Sequence, residues 1–191
     1  MEHKPKVGLA LCGSYCTYEQ VFAQAGRLAE HFDLIPILSD TAAETDTRFG
    51  RAADHIRRLM ELTGRQVVTT VAEAEPLGPK EPMELLIIAP CTGNTLAKLA
   101  NGITDSAVTM AAKAHLRNGR PLLIAFSSND ALSASAENIG KLLNRKSVYF
   151  VPFRQDDAEK KPRSAQADFT LLLPAAEAAL KGEQLQPILR A

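Results

Sequence analysis

The segment Ala89-Pro90-Cys91-Thr92-Gly93-Asn94-Thr95 gathers the residue types that grip an anion. Thr92, Asn94 and Thr95 offer hydrogen-bonding groups, and Gly93 permits close approach or a positive φ. Pro90 stops the preceding strand and fixes one backbone angle. A helix expected to begin near Leu96 would aim its N-terminal amides at the same space. This is the chemistry of a phosphate with a polar ring beside it. Three other short polar segments also follow apolar runs: Gly13-Ser14, Ser39-Asp40-Thr41 and Ser127-Ser128-Asn129. The same residue types serve as helix caps and turns, so any one of them decides little. Four at one edge of a parallel sheet favour a ligand site, because open α/β sheets bind ligands beyond the carboxyl ends of their strands.

Other chemistries are poorly represented. Residues 8–13 lack the GxGxxG dinucleotide fingerprint, and no GxxxxGK[ST] segment exists for a triphosphate. The cysteines are Cys12, Cys16 and Cys91. An odd number without framework spacing implies free thiols in a reducing, cytoplasmic setting. No second ligand cluster accompanies Cys12 and Cys16, so no metal is expected. Lys and Arg number 22, balanced by 22 Asp and Glu, which gives no bulk attraction to nucleic acid or a membrane surface. No run approaches a membrane span of roughly 20 apolar residues, and the apolar stretch after the charged residues 1–6 is too short for a signal peptide.

The elements that must position these residues alternate along the chain. Strands are expected over residues 7–12, 34–38, 85–89, 121–126 and 147–151, with a short one near Val67, Val68 and Val71. The uninterrupted apolar run 85–89 suits a parallel strand covered on both faces. Pro36 cannot donate to a ladder and requires an edge position or a bulge. Helices are expected over 18–31, 52–62, 96–100, 105–117, 131–143 and 168–180, with Gly64 stopping the second and Asp105 or Thr104 capping the fourth. Residues 41–50, 75–82 and 156–163 read as loops. This order predicts an α/β fold, a three-layer Rossmann-like (flavodoxin-like) open parallel sheet with helices on both faces. A chain of 191 residues fits a single domain, 1–191, with 152–191 as a C-terminal extension packed on it.

At residues 87–105 the sequence resembles the flavoprotein family that includes the homo-oligomeric flavin-containing cysteine decarboxylases and the prenyl-transferring flavin synthases. Ala89-Pro90-Cys91-Thr92-Gly93-Asn94-Thr95 is similar to their Pro-Ala-Ser-Ala-Asn-Thr-type motif, and Ala97-Lys98-Leu99-Ala100-Asn101-Gly102-Ile103-Thr104-Asp105 continues the likeness. Within that family, Asp46-Thr47-Arg48-Phe49-Gly50, Asn129-Asp130-Ala131-Leu132, Tyr149-Phe150-Val151-Pro152-Phe153 and Gln184-Leu185-Gln186-Pro187 resemble the family of dipicolinate synthase B subunits. The resemblance implies an FMN site lined by Gly13, Ser14, Ser39, Thr92, Gly93, Asn94, Thr95 and Ser127. It also implies a separate A subunit that carries NAD(P), a homo-oligomeric assembly and the mother cell of a sporulating bacterium. The implied reaction oxidises a dihydrodipicolinate-type precursor to dipicolinic acid. The two carboxylates of that substrate would want cations, for which Arg48 and Lys80 are candidates, with Asn129 facing the substrate side. For Arg48, with Asp46, a solvated loop is the competing reading.

One departure bears on activity. The decarboxylase pattern places a histidine shortly before the central strand, and residues 77–82 contain none. His3 is terminal, His31 ends a helix, and His55 and His115 are expected at helix surfaces. Decarboxylation is therefore the least favoured reading. A flavin-independent subunit that keeps only a phosphate pocket stays open.

Overall fold

The computed structural model describes residues 4–78 and 80–190, so His3 and Pro79 lie outside it. Strands β1 (Lys6–Leu11), β2 (Asp33–Leu38), β3 (Leu85–Cys91), β4 (Leu122–Ser128) and β5 (Val148–Phe150) run parallel, in the spatial order β2-β1-β3-β4-β5. Neighbouring residues of one strand feed opposite cores. Leu9, Leu11, Leu85, Ile87, Leu123 and Ala125 join one cluster, whereas Ala10, Cys12, Leu86, Ile88, Leu122 and Ile124 join the other. That division follows from the period of two, and it explains why the strands read as unbroken apolar runs.

On the first face lie α1 (Tyr18–His31), α3 (Ala52–Thr63) and α8 (Leu172–Leu180). Helix α1 buries Tyr18, Val21, Phe22, Ala25 and Leu28, which fall at i, i+3, i+4 spacing along one face. Each of its large apolar side chains contributes about 1.5–3 kcal/mol on full burial. Helix α3 ends at Gly64, whose φ of 66° is left-handed, as a glycine stop requires. On the second face lie α4 (Val71–Ala74), α5 (Gly93–Asn101), α6 (Ala107–Leu116) and α7 (Ala136–Leu143). The result is a three-layer, mostly parallel α/β sheet of seven strands with helices on both faces.

Several local expectations are corrected. The expected short strand near Val67–Val71 reduces to a single bridge between Val68 and Ile37. Thr70 and Glu73 form a reciprocal capping box that starts α4 at Val71. Residues 40–44 are not a loop but α2 (Asp40–Glu44), capped by the Ser39 side chain. Pro90 does not stop β3; the strand continues to Cys91 by shifting register against β4 after Ile88. Ser106, rather than Asp105 or Thr104, caps α6, because its hydroxyl reaches the Thr109 amide. Pro36 sits in the edge strand β2, where among the described residues the outward side carries only the passing Val68.

The largest addition lies beyond β5. Strands β6 (Phe153–Arg154) and β7 (Ala165–Ala167) pair antiparallel, and β7 pairs antiparallel with Ser127 and Ser128 of β4. Thus β5 covers the first half of β4 and this arm covers its carboxyl end. The chain closes with α8 on the core and a tail in which the Gln184 side-chain amide both donates to Phe150 O and accepts from Phe150 N. No helix among the described residues is long and apolar enough to cross a membrane.

Candidate functional site

The strand order reverses between β1 and β3, and two adjoining clefts open beyond the carboxyl ends of the strands there. The smaller, about 220 Å³, is lined by Gly13, Ser39, Thr92, Asn94, Thr95 and Lys98, among others. The larger, about 660 Å³, is lined by Ser14, Thr92, Gly93, Asn94, Ser127 and Asn129, with Asp130, Asp156 and Lys161 across from them. Thr92 and Asn94 face both. Each of the eight residues expected around a cofactor lines one cleft or the other.

Thr92 to Thr95 are not a loop before a helix; they are the helix start. Thr92 caps α5, and its hydroxyl accepts from the Thr95 amide at 3.2 Å. The same hydroxyl donates to Thr95 Oγ1, which in turn donates to Cys12 Sγ at 3.2 Å. Both threonine hydroxyl protons are therefore committed inward. What remains for a ligand is the Gly93 and Asn94 amides of the first turn, which have no intrahelical acceptor, and the exposed Asn94 side chain. The thiol that ends this relay is inert: burial pushes Cys12 up to about 11, although the Thr95 hydrogen bond works against it. Burial raises Cys91 likewise. Neither thiolate is available near neutral pH.

The donor set of the smaller cleft suits a phosphate. It combines hydroxyl-bearing Ser39, Thr41 and Ser106 with the Lys98 ammonium, which is paired to Asp105 at 2.9 Å. Asp40, also in the lining, is exposed in the first turn of α2. Ser106 carries no sequence signature of its own, and the family-like segment 97–105 assigns Lys98 no role. Lys98 reads as one more helix residue, and only the packing of α5 against the start of α6 brings it to the site.

The larger cleft is a fixed polar wall. Asp130 Oδ1 accepts from Ser135 Oγ at 2.9 Å and from Ser128 Oγ. Those two hydroxyls hold its carboxyl below the usual carboxylate range, so it is ionised at neutral pH. Gly93 sits against this cluster: a Cβ there would meet Ser135 Oγ at 2.7 Å and Ser128 Oγ at 2.9 Å. Ser14 holds a left-handed backbone, φ 68°, and its hydroxyl donates to Ser127 O at 2.9 Å, tying the loop after β1 to the end of β4. Burial works against the Asp156 carboxylate, but hydrogen bonds from Ser164 and Lys161 outweigh it, so this group is also held ionised.

The three substrate candidates separate. Asn129 lines the larger cleft. Arg48 does not line either cleft; its guanidinium lies over the exposed Phe49 ring, 4.8 Å from the centroid. Lys80 is exposed just before β3, at the end of that strand opposite the clefts. Asp46 makes no ion pair with Arg48; its carboxylate accepts the Ala52 amide at the start of α3. The histidines also differ from expectation. His31 is exposed, but His55 and His115 are buried. His55 packs edge-on to Tyr18 with centroids 4.8 Å apart, because α3 turns that position towards α1. His115 turns inward on α6 and hydrogen-bonds Pro121 O at 2.7 Å. Neither lines the clefts, and among the described residues no histidine does.

Comparison with known proteins agrees with the fold. The Flavoprotein family matches residues 1–168. The chain is 45% identical to the B subunit of dipicolinate synthase of Bacillus subtilis (strain 168) over 185 residues, covering 96% of this chain and 92% of that protein. The crystal structure of the dipicolinate synthase B subunit from Bacillus halodurans superposes with a TM-score of 0.90 at 43% identity, covering 100% of this chain and 99% of the other. DmrB of Burkholderia xenovorans, solved in complex with FMN, shares the fold with a TM-score of 0.64 at 20% identity, over 78% of this chain and 89% of that one. The chain belongs to the Flavoprotein family, and within it is similar to the dipicolinate synthase B subunits.

Proposed function

We propose that this chain is the FMN-binding subunit of a dipicolinate synthase, acting with an A subunit that carries NAD(P). The observation that carries the reading is the pair of clefts joined at Thr92 and Asn94, one with a phosphate-type donor set and one large enough for a planar ring. The 5′-phosphate goes to the smaller cleft, against Ser39, Lys98 and Ser106. Asn94, facing both clefts, spans the junction between phosphate and ring, and Ser14 and Ser127 border the ring.

Aromatising a dihydropyridine dicarboxylate removes one hydride and one proton. A flavin bound here supplies the hydride acceptor, and the protein supplies orientation and electrostatics. Asn129 faces the substrate space, and the ionised Asp130 offers an acceptor for the proton. The work is divided between subunits, so this chain alone is inactive and turnover appears only on mixing with the A subunit. Full-rate turnover by the isolated chain would overturn that division. The assembly is homo-oligomeric and belongs to the cytoplasm of the mother cell.

Flavin titration of the purified chain tests the site. Wild type is expected to take up FMN and turn yellow, and Asn94→Ala to bind it at least about tenfold more weakly, near 1.4 kcal/mol. Unchanged affinity in the variant would remove the site assignment. A colourless protein that binds only inorganic phosphate would make it a flavin-independent subunit instead.

A further inference from the structure

We propose that Arg154 and Lys161, both carried by the antiparallel arm, hold the carboxylates of an anionic substrate. The inference rests on the reading of the chain as acting on a planar dicarboxylate. Arg154 stands on β6, opposite Gln166 on β7. It lines a side cleft of about 250 Å³ that shares Gln20, Asp156 and Gln166 with the larger cleft. Lys161 lines the larger cleft from the segment that joins the two strands. The shared mouth therefore has a cation on the side-cleft side and another on the main side.

The charges explain why cations are required there. Asp130 and Asp156 place two carboxylates in the larger cleft and Asp168 places a third in the side cleft, and these repel an incoming anion. Lys161 offsets one of them, pairing with Asp156 at 3.2 Å. Arg154 is exposed and has no carboxylate partner among the described residues. An unpaired guanidinium at a polar mouth is a fork for a carboxylate, and its planar geometry favours two-point contact. The other cations named earlier do not line the larger or the side cleft. Lys98 is tied to Asp105 at the phosphate end, Arg48 lies on Phe49, and Lys80 is beyond the far end of β3. Gln20 and Gln166 line both clefts, and their side-chain amides can each donate and accept a hydrogen bond there.

Calorimetric titration of the purified full chain with pyridine-2,6-dicarboxylate, and with pyridine-2-carboxylate as the single-carboxylate control, tests this. Wild type is expected to prefer the dicarboxylate. Arg154→Gln and Lys161→Gln are each expected to weaken its binding about tenfold and to flatten the preference over the monocarboxylate. Arg48→Gln and Lys80→Gln are expected to change neither. Wild-type affinity in the Arg154→Gln/Lys161→Gln double variant, or no dicarboxylate binding by wild type, overturns the proposal. FMN titrated into the same proteins separates it from the flavin reading. If wild type binds no FMN but Arg154→Gln still erases the dicarboxylate preference, the flavin reading fails and this one stands.

Discussion

Gly93→Ala is expected to destabilise the protein by about 1–3 kcal/mol, the usual range for forcing an extra carbon into a packed position. The sign is informative because helix propensity predicts the reverse. Gly93 is the first residue of α5, and exchanging glycine for alanine in a helix ordinarily gains up to about 1 kcal/mol. Here the new Cβ arrives 2.7 Å from Ser135 Oγ, 2.9 Å from Ser128 Oγ and 3.1 Å from Asp130 Oδ1. Hydroxyls can ordinarily rotate away. These two are both bonded to the same carboxylate oxygen, so moving either loosens the cluster. FMN affinity is expected to fall with it, on the order of tenfold, since the wall of the larger cleft opens. Urea unfolding midpoints and flavin titrations read the two effects. Ser135→Ala removes the nearest atom, so the Gly93→Ala/Ser135→Ala double variant should recover part of the loss, a non-additivity expected of residues in contact. Strict additivity would show that the clash is not the cause.

Acidification is expected to weaken the fold before the carboxylates titrate. His115 is fully buried, and desolvation lowers its pKa from 6.5 to about 4, with Arg120 adding to the depression. The Pro121 carbonyl can only accept, so Nε2 carries the proton and Nδ1 is left buried without a partner. Protonating Nδ1 would bury a charge and an unsatisfied donor together. In the unfolded chain the imidazole takes up a proton near 6.5, and in the folded protein only near 4. The stabilisation is thus complete above about pH 6.5 and is lost as the pH falls towards 4. A gap of this size corresponds to roughly 3 kcal/mol. His55, whose pKa burial also lowers, adds in the same direction. His115→Gln keeps a donor for Pro121 O but cannot titrate, so its unfolding free energy should vary less between pH 6.5 and 4 than that of wild type. An identical pH profile would assign the acid sensitivity to other groups.

Much of the fold was legible because a sheet covered on both faces leaves a strong mark. Residues 85–89 and 121–126 had to be strands once their apolar runs were too short for core helices, and the α1 stripe identified itself by spacing. What stayed hidden was short or lay on the surface. Helix α2 has five residues and buries little beyond Ala42, so no period could announce it. The arm of β6 and β7 is two and three residues long, below the length at which alternation can be read. Histidines 55 and 115 gave no sign of their burial, because imidazole is found on either side of a helix. The site divided in the same way. Its hydroxyl and amide groups follow strand ends and could be found from sequence. Its cations could not: Lys98 arrives by helix packing, and Arg154 and Lys161 ride on the arm. Only resemblance and charge point to Arg48 and Lys80 for that role, and the chain carries them outside the clefts.

The Gln184 amide on Phe150 has a consequence for how copies of this chain behave at high concentration. Among the described residues no strand pairs with the outer side of the three-residue β5, and such a margin invites another chain to add itself. By bonding both the amide and the carbonyl of Phe150, one glutamine side chain occupies the rung an intruding strand would use first. The tail thereby acts as a guard against sheet-to-sheet aggregation, independently of anything that happens in the clefts.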